Sequence, residues 1–233
     1  MDQMFKNLLV VGLTFCMGYC FAEVSKYEAR NFDHLLGHVE GLNDDLLKMH
    51  FKLYQGYVTN ANLLLEKTAS LGKEGKTTGP EFAELKRRLG WEFDGMLLHE
   101  LYFENLGGGK QSLNEDSPLM QKMIADFGSY EAWKNDFVAT GAMRGIGWVI
   151  LYLDPKLGRL INTWINEHDV GHLAGGIPLL VMDVFEHAYI TQFGLDRAAY
   201  IKIFFNNIDW DVVVARFKNS NFIQSQGGVI LKF

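Results

Sequence analysis

Apolar residues recur with a helical period over residues 44–71, which predicts a long helix with one apolar face. The tract LGKEGKTTG (71–79) interrupts this pattern. Pro80 is placed to open a second long helix, which should end near Leu106, just before three consecutive glycines. Two long helices joined by a short connection normally pack antiparallel, so the first half of the chain predicts a helical hairpin.

The pattern changes after the polar, glycine-rich loop at 107–117. Helical and β-rich stretches are mixed in the second half. They predict two shorter helices, three strands and two closing helices: 118–127 and 129–144, 147–154, 159–165 and 177–183, and 197–207 and 209–218. The expected fold class is therefore α+β. An N-terminal antiparallel long-helix hairpin domain (30–110) precedes a C-terminal α/β domain (114–220) that contains helices and a three-stranded antiparallel sheet.

The first residues form a separate segment. Residues 8–22 are an uncharged apolar run of 15 residues, shorter than the roughly 20 residues of a membrane span. This length is typical of a secretory signal, so we expect a signal peptide over 1–22, with cleavage after Ala22 and export to the periplasm or the medium. The alternatives are an uncleaved anchor or a start codon placed too far upstream; without cleavage the expected location is cytoplasmic.

Composition and charge exclude several classes of protein. The chain has 233 residues and a formal net charge of −6, which argues against a nucleic-acid binder. Its one short basic cluster, Lys86-Arg87-Arg88, falls in a helical pattern and is interpreted as a solvated face. The two cysteines, Cys16 and Cys20, both precede residue 22, so a disulfide scaffold and a four-cysteine zinc site are excluded.

Four residues are candidate metal ligands: two separate histidines and an aspartate–histidine pair. His50 and His99 lie on the apolar faces of the two long helices. Each alone is more often a core histidine than a ligand, but two facing helices that both direct an imidazole inward make half a metal site. Asp183 ends the buried third strand and His187 follows four residues later; the alternative is an aspartate in a salt bridge at a helix start. Three imidazoles and one carboxylate suit a redox-active first-row ion, and spacing does not separate iron, manganese and zinc.

Four separated motifs resemble those of one family, the iron/manganese superoxide dismutases. They follow the family's order over roughly residues 30–217 and are LYQGYVTNAN (53–62), LHELYFENLGGG (98–109), GIGWVILYLD (145–154) and DVFEHAY (183–189). The family patterns that they resemble are HHxxYVxxxN, NHxxYWxxL, GSGWxWL and DxWEHAY, respectively.

The resemblance implies one iron or manganese ion per subunit, and its metal ligands would be His50, His99, Asp183 and His187. It implies Tyr57 at the mouth of the substrate funnel and Trp148 as a wall of the pocket. It also implies a homodimer, or a dimer of dimers, in which Glu186 of one subunit bonds His187 of the other, with Tyr189 at the same interface.

In this family a side-chain amide or imidazole contacts the solvent ligand of the metal. The resemblance puts this group either four residues before the second ligand, where this chain has Gly95, or in the loop before the third strand, where it has His168. We therefore expect His168 in this role, with His172 as its rival, and this variant favours iron. His34 and His38 are interpreted as surface residues.

The chain departs from the family pattern at three places. His50 and Tyr57 are one residue closer in sequence than usual, which would re-aim the imidazole if the usual helix carries a π-bulge. The family's usual histidine before the tyrosine is missing, since Leu53 and Tyr54 stand there, so the usual contact to Tyr189 across the dimer is in doubt. Phenylalanines replace tryptophans at two positions of the pocket wall: Phe103 and Phe185.

The expected function is dismutation of superoxide, a small anionic substrate, to dioxygen and hydrogen peroxide. His168 would tune the basicity of the solvent ligand and Tyr57 would help to relay a proton. Two alternatives differ in class: a zinc hydrolase using the same ligands, and a non-catalytic metal-binding dimer of the same fold.

Overall fold

The computed structural model describes residues 25–225, with side chains through residue 220. Seven α-helices and three strands follow one another in this part: α1 Asp44–Lys73, α2 Pro80–Glu104, α3 Pro118–Phe127, α4 Tyr130–Gly141, β1 Gly147–Asp154, β2 Arg159–Asn166, β3 Ile177–Asp183, α5 Ile190–Phe193, α6 Arg197–Asn206 and α7 Trp210–Ser225. The signal peptide predicted at 1–22 lies outside the described residues. None of the helices in the described part is both long and apolar enough to span a bilayer.

The predicted helical hairpin is confirmed. The side chain of Asn43 caps α1 by accepting a hydrogen bond from the backbone N–H of Leu46 at 2.8 Å, and Pro80 occupies the first turn of α2. α1 continues two residues beyond the predicted end, and α2 stops at Glu104 rather than near Leu106. α1 is α-helical throughout and contains no π-bulge among its residues. The apolar faces of the two helices bury their aromatic and aliphatic side chains together with His50 and His99.

The three-stranded sheet is antiparallel in the order β2–β1–β3, so the predicted α+β fold class is confirmed. β1 is the central strand and is buried along nearly its whole length. In the register between β1 and β3, Trp148 lies opposite Asp183. The sheet therefore places an indole beside the carboxylate that ends β3. The division into domains at 30–110 and 114–220 stays a prediction.

A buried asparagine joins the end of α2 to β3. The side-chain oxygen of Asn105 accepts a hydrogen bond from the backbone N–H of Val181 at 3.0 Å, and its amide donates to the Val181 carbonyl at 3.1 Å. Asn105 thus pairs with β3 as a neighbouring strand would. Because Val181 lies two residues before Asp183, this contact fixes the carboxylate relative to the helix that carries His99.

A cluster of charged side chains lies at the C-terminal end of α2. Glu104 lies between Arg30 and Arg216, and Arg216 donates to it at 2.7 Å. Arg216 also donates to the backbone carbonyl of Leu179 at 3.0 Å. Burial acts to raise the pKa of Glu104, but the hydrogen bonds from the two arginines outweigh it, so the pKa is lowered and the carboxylate stays ionised. The cluster ties α7 to the end of α2 and to β3.

Candidate metal centre

Four side chains from four separate elements meet in the interior. His50 comes from α1, His99 from α2, Asp183 from the end of β3, and His187 from the 3₁₀ turn Glu186–Ala188. Their potential ligand atoms all lie within 4.8 Å of one another. The carboxylate oxygen Oδ2 of Asp183 is 3.1 Å from Nε2 of His50, 3.0 Å from Nε2 of His187 and 3.8 Å from Nε2 of His99.

The protonation states of this cluster are those of a metal site. Burial acts to raise the pKa of Asp183, but the charge and hydrogen bonds of His187 and His50 outweigh it, and the pKa lies far below its usual range. Burial lowers the pKa of both His50 and His99. The carboxylate is therefore ionised and the buried imidazoles are neutral, as metal ligands must be.

An orphaned nitrogen shows that the donors fit a cation. Nδ1 of His99 donates to the backbone carbonyl of Gly95 at 2.5 Å, which leaves the lone pair on Nε2. Among the described residues this fully buried Nε2 has no hydrogen-bond partner. The same holds for Nδ1 of His50, whose other nitrogen faces Asp183. An ion among the four side chains would supply the missing partner of His99, and three nitrogens with one carboxylate oxygen suit a first-row transition metal.

Aromatic rings enclose the cluster. The Trp148 ring lies edge-on to His99 with ring centroids 4.9 Å apart, and Phe103 lies edge-on to His50 at 5.0 Å. Phe185 stacks on His187 at 5.0 Å. Trp148, Phe103 and Phe185 are all at least nine-tenths buried. The walls are therefore apolar and strengthen electrostatic interactions inside the site. Both phenylalanines that replace the family's tryptophans face the ligands.

His168 lies beside this cluster and bridges two aromatic residues. The indole N–H of Trp148 donates to Nδ1 of His168 at 3.0 Å. Because an indole nitrogen only donates, Nδ1 is the acceptor and the neutral ring carries its hydrogen on Nε2. That Nε2 lies 2.8 Å from the hydroxyl oxygen of Tyr57 and donates to it. Burial lowers the pKa of His168 to about 4, so the ring is neutral near pH 7.

Tyr57 occupies the space that Gly95 leaves. A Cβ on Gly95 would lie 2.8–3.1 Å from three carbons of the Tyr57 ring, which stacks on His99 at 5.0 Å. The space beside Gly95 therefore holds the Tyr57 ring, and His168 reaches the hydroxyl of that tyrosine. Burial, together with the charge of Asp183, raises the pKa of Tyr57 well above its usual range, so the hydroxyl stays protonated.

His172, the rival of His168, does not face the ligand cluster. Its Nδ1 is 2.6 Å from the Tyr152 hydroxyl, and its Nε2 is 2.7 Å from the backbone carbonyl of His168. It therefore lies behind His168. His34 and His38 are exposed, in agreement with their interpretation as surface residues.

Trp91 is a site residue that sequence reasoning missed. Its ring lies edge-on to His168 at 4.5 Å and 5.5 Å from the Tyr57 ring. Arg88 lies over it at 3.8 Å and donates to the buried carboxylate of Glu92 at 2.8 Å. Lys86 and Arg87 form the predicted solvated face, whereas Arg88 packs on the wall of the site. The spacing of Trp91 from Gly95 and His99, four and eight residues on one helix face, was the available signal.

The residues predicted for the dimer contact, Glu186 and Tyr189, flank the ligand His187 in the sequence. Glu186 is exposed, and within the described part of the chain its carboxylate has no hydrogen bond. Tyr189 is buried, stacks on Tyr200 at 5.5 Å and accepts a hydrogen bond from Arg197 at 3.1 Å. Tyr54, one of the two residues that stand in place of the family's usual histidine, donates a hydrogen bond to Glu100 at 2.7 Å.

Comparison with known proteins gives a consistent assignment. The family model of the iron/manganese superoxide dismutase C-terminal domain matches residues 115–216. The chain is 38% identical over 182 residues to the iron superoxide dismutase of Cupriavidus metallidurans, covering 76% of this chain and 89% of the relative. It is also 38% identical over 195 residues to the iron enzyme of Aquifex pyrophilus, covering 81% and 90%. To manganese superoxide dismutase 2 of Haloferax volcanii it is 33% identical over 192 residues, covering 81% and 92%. These matches cover most of the chain and agree with the ligand cluster His50, His99, Asp183 and His187, so this chain belongs to the iron/manganese superoxide dismutase family.

Proposed function

We propose that this superoxide dismutase turns over with iron at the four-residue cluster and with His168 and Tyr57 as its proton-handling pair. Two superoxide anions and two protons give one dioxygen and one hydrogen peroxide. The observation that carries the proposal is the convergence of an ionised carboxylate and three imidazoles around the unpartnered Nε2 of His99.

His50, His99, Asp183 and His187 would hold the iron ion, and the bound ion would supply the one-electron redox chemistry that dismutation needs. The ligands supply three neutral donors and a single negative charge, so a trivalent or divalent cation leaves the site positive. A positive site in apolar walls attracts a small anion although the chain has a net charge of −6.

A directed hydrogen-bond series orients the Tyr57 hydroxyl. The Trp148 N–H donates to His168, and His168 Nε2–H donates to the Tyr57 oxygen. The Tyr57 hydroxyl hydrogen is therefore not used by His168 and can point elsewhere. The ring of Tyr57 stacks on the ligand His99, which brings that hydroxyl close to the ligand cluster. Tyr57 can then donate this hydrogen to a bound anion, while the hydrogen bond from His168 holds its oxygen in place.

Iron is favoured over manganese by the names of the relatives. Three relatives that are 38% identical over 182 to 195 residues are named as iron enzymes. Relatives named as manganese enzymes are 32 or 33% identical over matches of similar length, or 40% identical over a shorter match of 127 residues. The test is metal analysis together with superoxide consumption, measured on one sample purified from cells supplied with both metals. Iron with turnover supports the proposal. Manganese with turnover reverses the metal assignment, and metal without turnover favours the non-catalytic dimer.

We expect His168→Ala to lower superoxide turnover about tenfold to a hundredfold at unchanged metal content, because Tyr57 and Trp148 lose their shared partner. His168→Gln should lose less, since an amide can also accept from Trp148 and donate to Tyr57. The measurement is turnover per bound iron, with His38→Ala, an exposed histidine, as the control. Full activity in His168→Ala would remove this residue from the mechanism.

A dimer through the Glu186 face is part of the proposal. Glu186 is exposed beside the ligand His187, and the nearby apolar Ile190 is exposed as well. Bonding of Glu186 to His187 of a second copy would orient that ligand and hold the two subunits together. Glu186→Ala should then weaken dimerisation at least about tenfold in sedimentation equilibrium, the value of one lost charged hydrogen bond. Glu115→Ala, an exposed loop glutamate, should not.

Export is proposed from the apolar run at 8–22. Protein purified from its native source should then begin at Glu23, which N-terminal sequencing would test. An intact Met1 would instead favour the cytoplasmic alternative or an uncleaved anchor.

A further inference from the structure

The loop that carries His168 is tight and strained. Asn166 and Val170 exchange backbone hydrogen bonds at 2.8 and 3.3 Å, so the chain reverses within the three residues between them. Glu167, immediately before His168, has a φ of 55°, the only positive φ of a non-glycine residue in the described chain. Such a conformation is unfavourable for a residue with a Cβ and persists when surrounding contacts hold it. The loop therefore needs anchors outside itself.

His172 supplies one anchor from behind. Its Nε2 is 2.7 Å from the backbone carbonyl oxygen of His168, and because a carbonyl only accepts, this nitrogen carries a hydrogen and donates. Its Nδ1 is 2.6 Å from the hydroxyl of Tyr152 on β1. Burial, with the charge of Asp94, raises the pKa of Tyr152 to about 12, so the hydroxyl keeps a hydrogen that it can donate to Nδ1. One neutral tautomer of His172 satisfies both bonds.

The position of His172 links the loop to two rigid elements. Tyr152 belongs to the central strand β1, four residues after Trp148, which bonds the His168 ring. Asp94 of α2 lies with its carboxylate 3.7 Å from Nε2 of His172, one residue before Gly95. His172 therefore connects the His168 backbone to the same strand and the same helix that bound the metal site.

We infer that His172 is a positioning residue for His168. Its bond to the His168 carbonyl sets how far the loop tip reaches, so that the imidazole of His168 spans the 3.0 Å contact to Trp148 and the 2.8 Å contact to Tyr57 together. Tyr152 acts through His172 by fixing its ring orientation. This inference rests on the proposed role of His168 but concerns a different contact, on the side of the loop away from the metal.

The test compares His172→Ala with His172→Gln. Glutamine can donate to the carbonyl and accept from Tyr152, so it should restore what alanine removes. The first readout is the imidazole ¹⁵N spectrum of His168 in protein loaded with Zn²⁺, a diamagnetic ion, with the signal assigned from His168→Gln. In His172→Ala the Nε2–H of His168 should exchange with water about tenfold faster, as expected for the loss of one anchoring hydrogen bond; in His172→Gln the rate should return towards the original. The second readout is turnover per iron, which should fall and recover in parallel.

The outcomes separate this inference from the function on which it rests. An unchanged His168 spectrum in His172→Ala overturns the positioning role even if turnover falls. Unchanged turnover in His168→Ala overturns the role of His168 whatever the spectrum does. If His172→Ala does not fold, Tyr152→Phe removes only the hydroxyl that orients His172, and it should accelerate the same exchange; no acceleration overturns the inference.

Discussion

Replacing Asp183 with asparagine is expected to leave the protein without metal and without measurable dismutation. The carboxylate is fully buried and lies within 3.1 Å of both His50 and His187, and it carries the only negative charge of the ligand set. Loss of groups that merely support ligands costs about tenfold to a hundredfold in metal affinity, so a ligand with its charge should cost at least about a hundredfold. The measurement is iron per chain after dialysis, together with superoxide consumption.

The matched control is Asp126→Asn. Asp126 is another largely buried aspartate; it accepts hydrogen bonds from Lys122 at 2.9 Å and from the backbone N–H of Leu160 at 2.7 Å, away from the metal cluster. This change should lower the melting temperature but retain one metal per chain. If Asp183→Asn binds iron as tightly as Asp126→Asn does, the carboxylate is not a ligand.

Of the substitutions proposed here, Gly147→Ala should lower the free energy of unfolding most. Gly147 begins β1 with a φ of 143°, and a Cβ there would lie 1.9 Å from the backbone carbonyl oxygen of Ile165. That oxygen belongs to the neighbouring strand β2, so it cannot move without disrupting the ladder. Strain and clash together should destabilise the protein by about 3 kcal/mol or more. Urea unfolding measures the change.

The control for Gly147 separates conformation from contact. Gly158, in the turn between β1 and β2, also has a positive φ of 64°, but a Cβ there meets no atom within 4 Å. Gly158→Ala should therefore cost only about 1 kcal/mol of stability, the conformational part alone. Equal losses in the two variants would contradict the close approach at Gly147. Failure of Gly147→Ala to accumulate as soluble protein, with Gly158→Ala normal, would agree with it.

The backbone at Gly147 also positions residues of the metal site. The carbonyl of Gly147 accepts a hydrogen bond from the backbone N–H of Val184 at 2.9 Å. Trp148 follows directly, and Asp183 lies opposite it in the register. The same backbone feature that requires glycine thus sets the indole beside the ligand carboxylate.

Local pattern was sufficient for the strands, for the four candidate ligands and for all of the described α-helices except the short α5. Helical periodicity with Pro80 and the glycines after Leu106 located both long helices to within a few residues, because helix ends depend on caps and breakers that are read locally. His50, His99, Asp183 and His187 could be singled out because buried polar groups in apolar patterns are costly and need a partner. The motifs then supplied the family.

The contacts between elements could not be read in the same way. Sequence left His168 and His172 as rivals, since both follow the same strand in one short loop. In the folded loop the ring of His168 bonds Trp148 and Tyr57, whereas His172 bonds the His168 backbone. This difference depends on the backbone path of the loop, in which Glu167 has a positive φ. Two further contacts depend on packing between elements. The Tyr57 ring fills the space beside Gly95 because α1 packs on α2, and Trp91 contacts His168 because the loop after β2 packs against α2.

Residue patterns within individual segments were enough to predict the strands, most of the helices, the four candidate ligands and the family, because caps, periodicity and motifs are each read locally. Three contacts became visible only in the folded chain: Trp148 sets the tautomer of His168, His172 bonds the His168 backbone, and Asn105 pairs with β3. Hydrogen-bond direction and ring contact are set by the relative position of segments that are distant in the chain. That position is a property of the packed core as a whole, and no single stretch of residues specifies it.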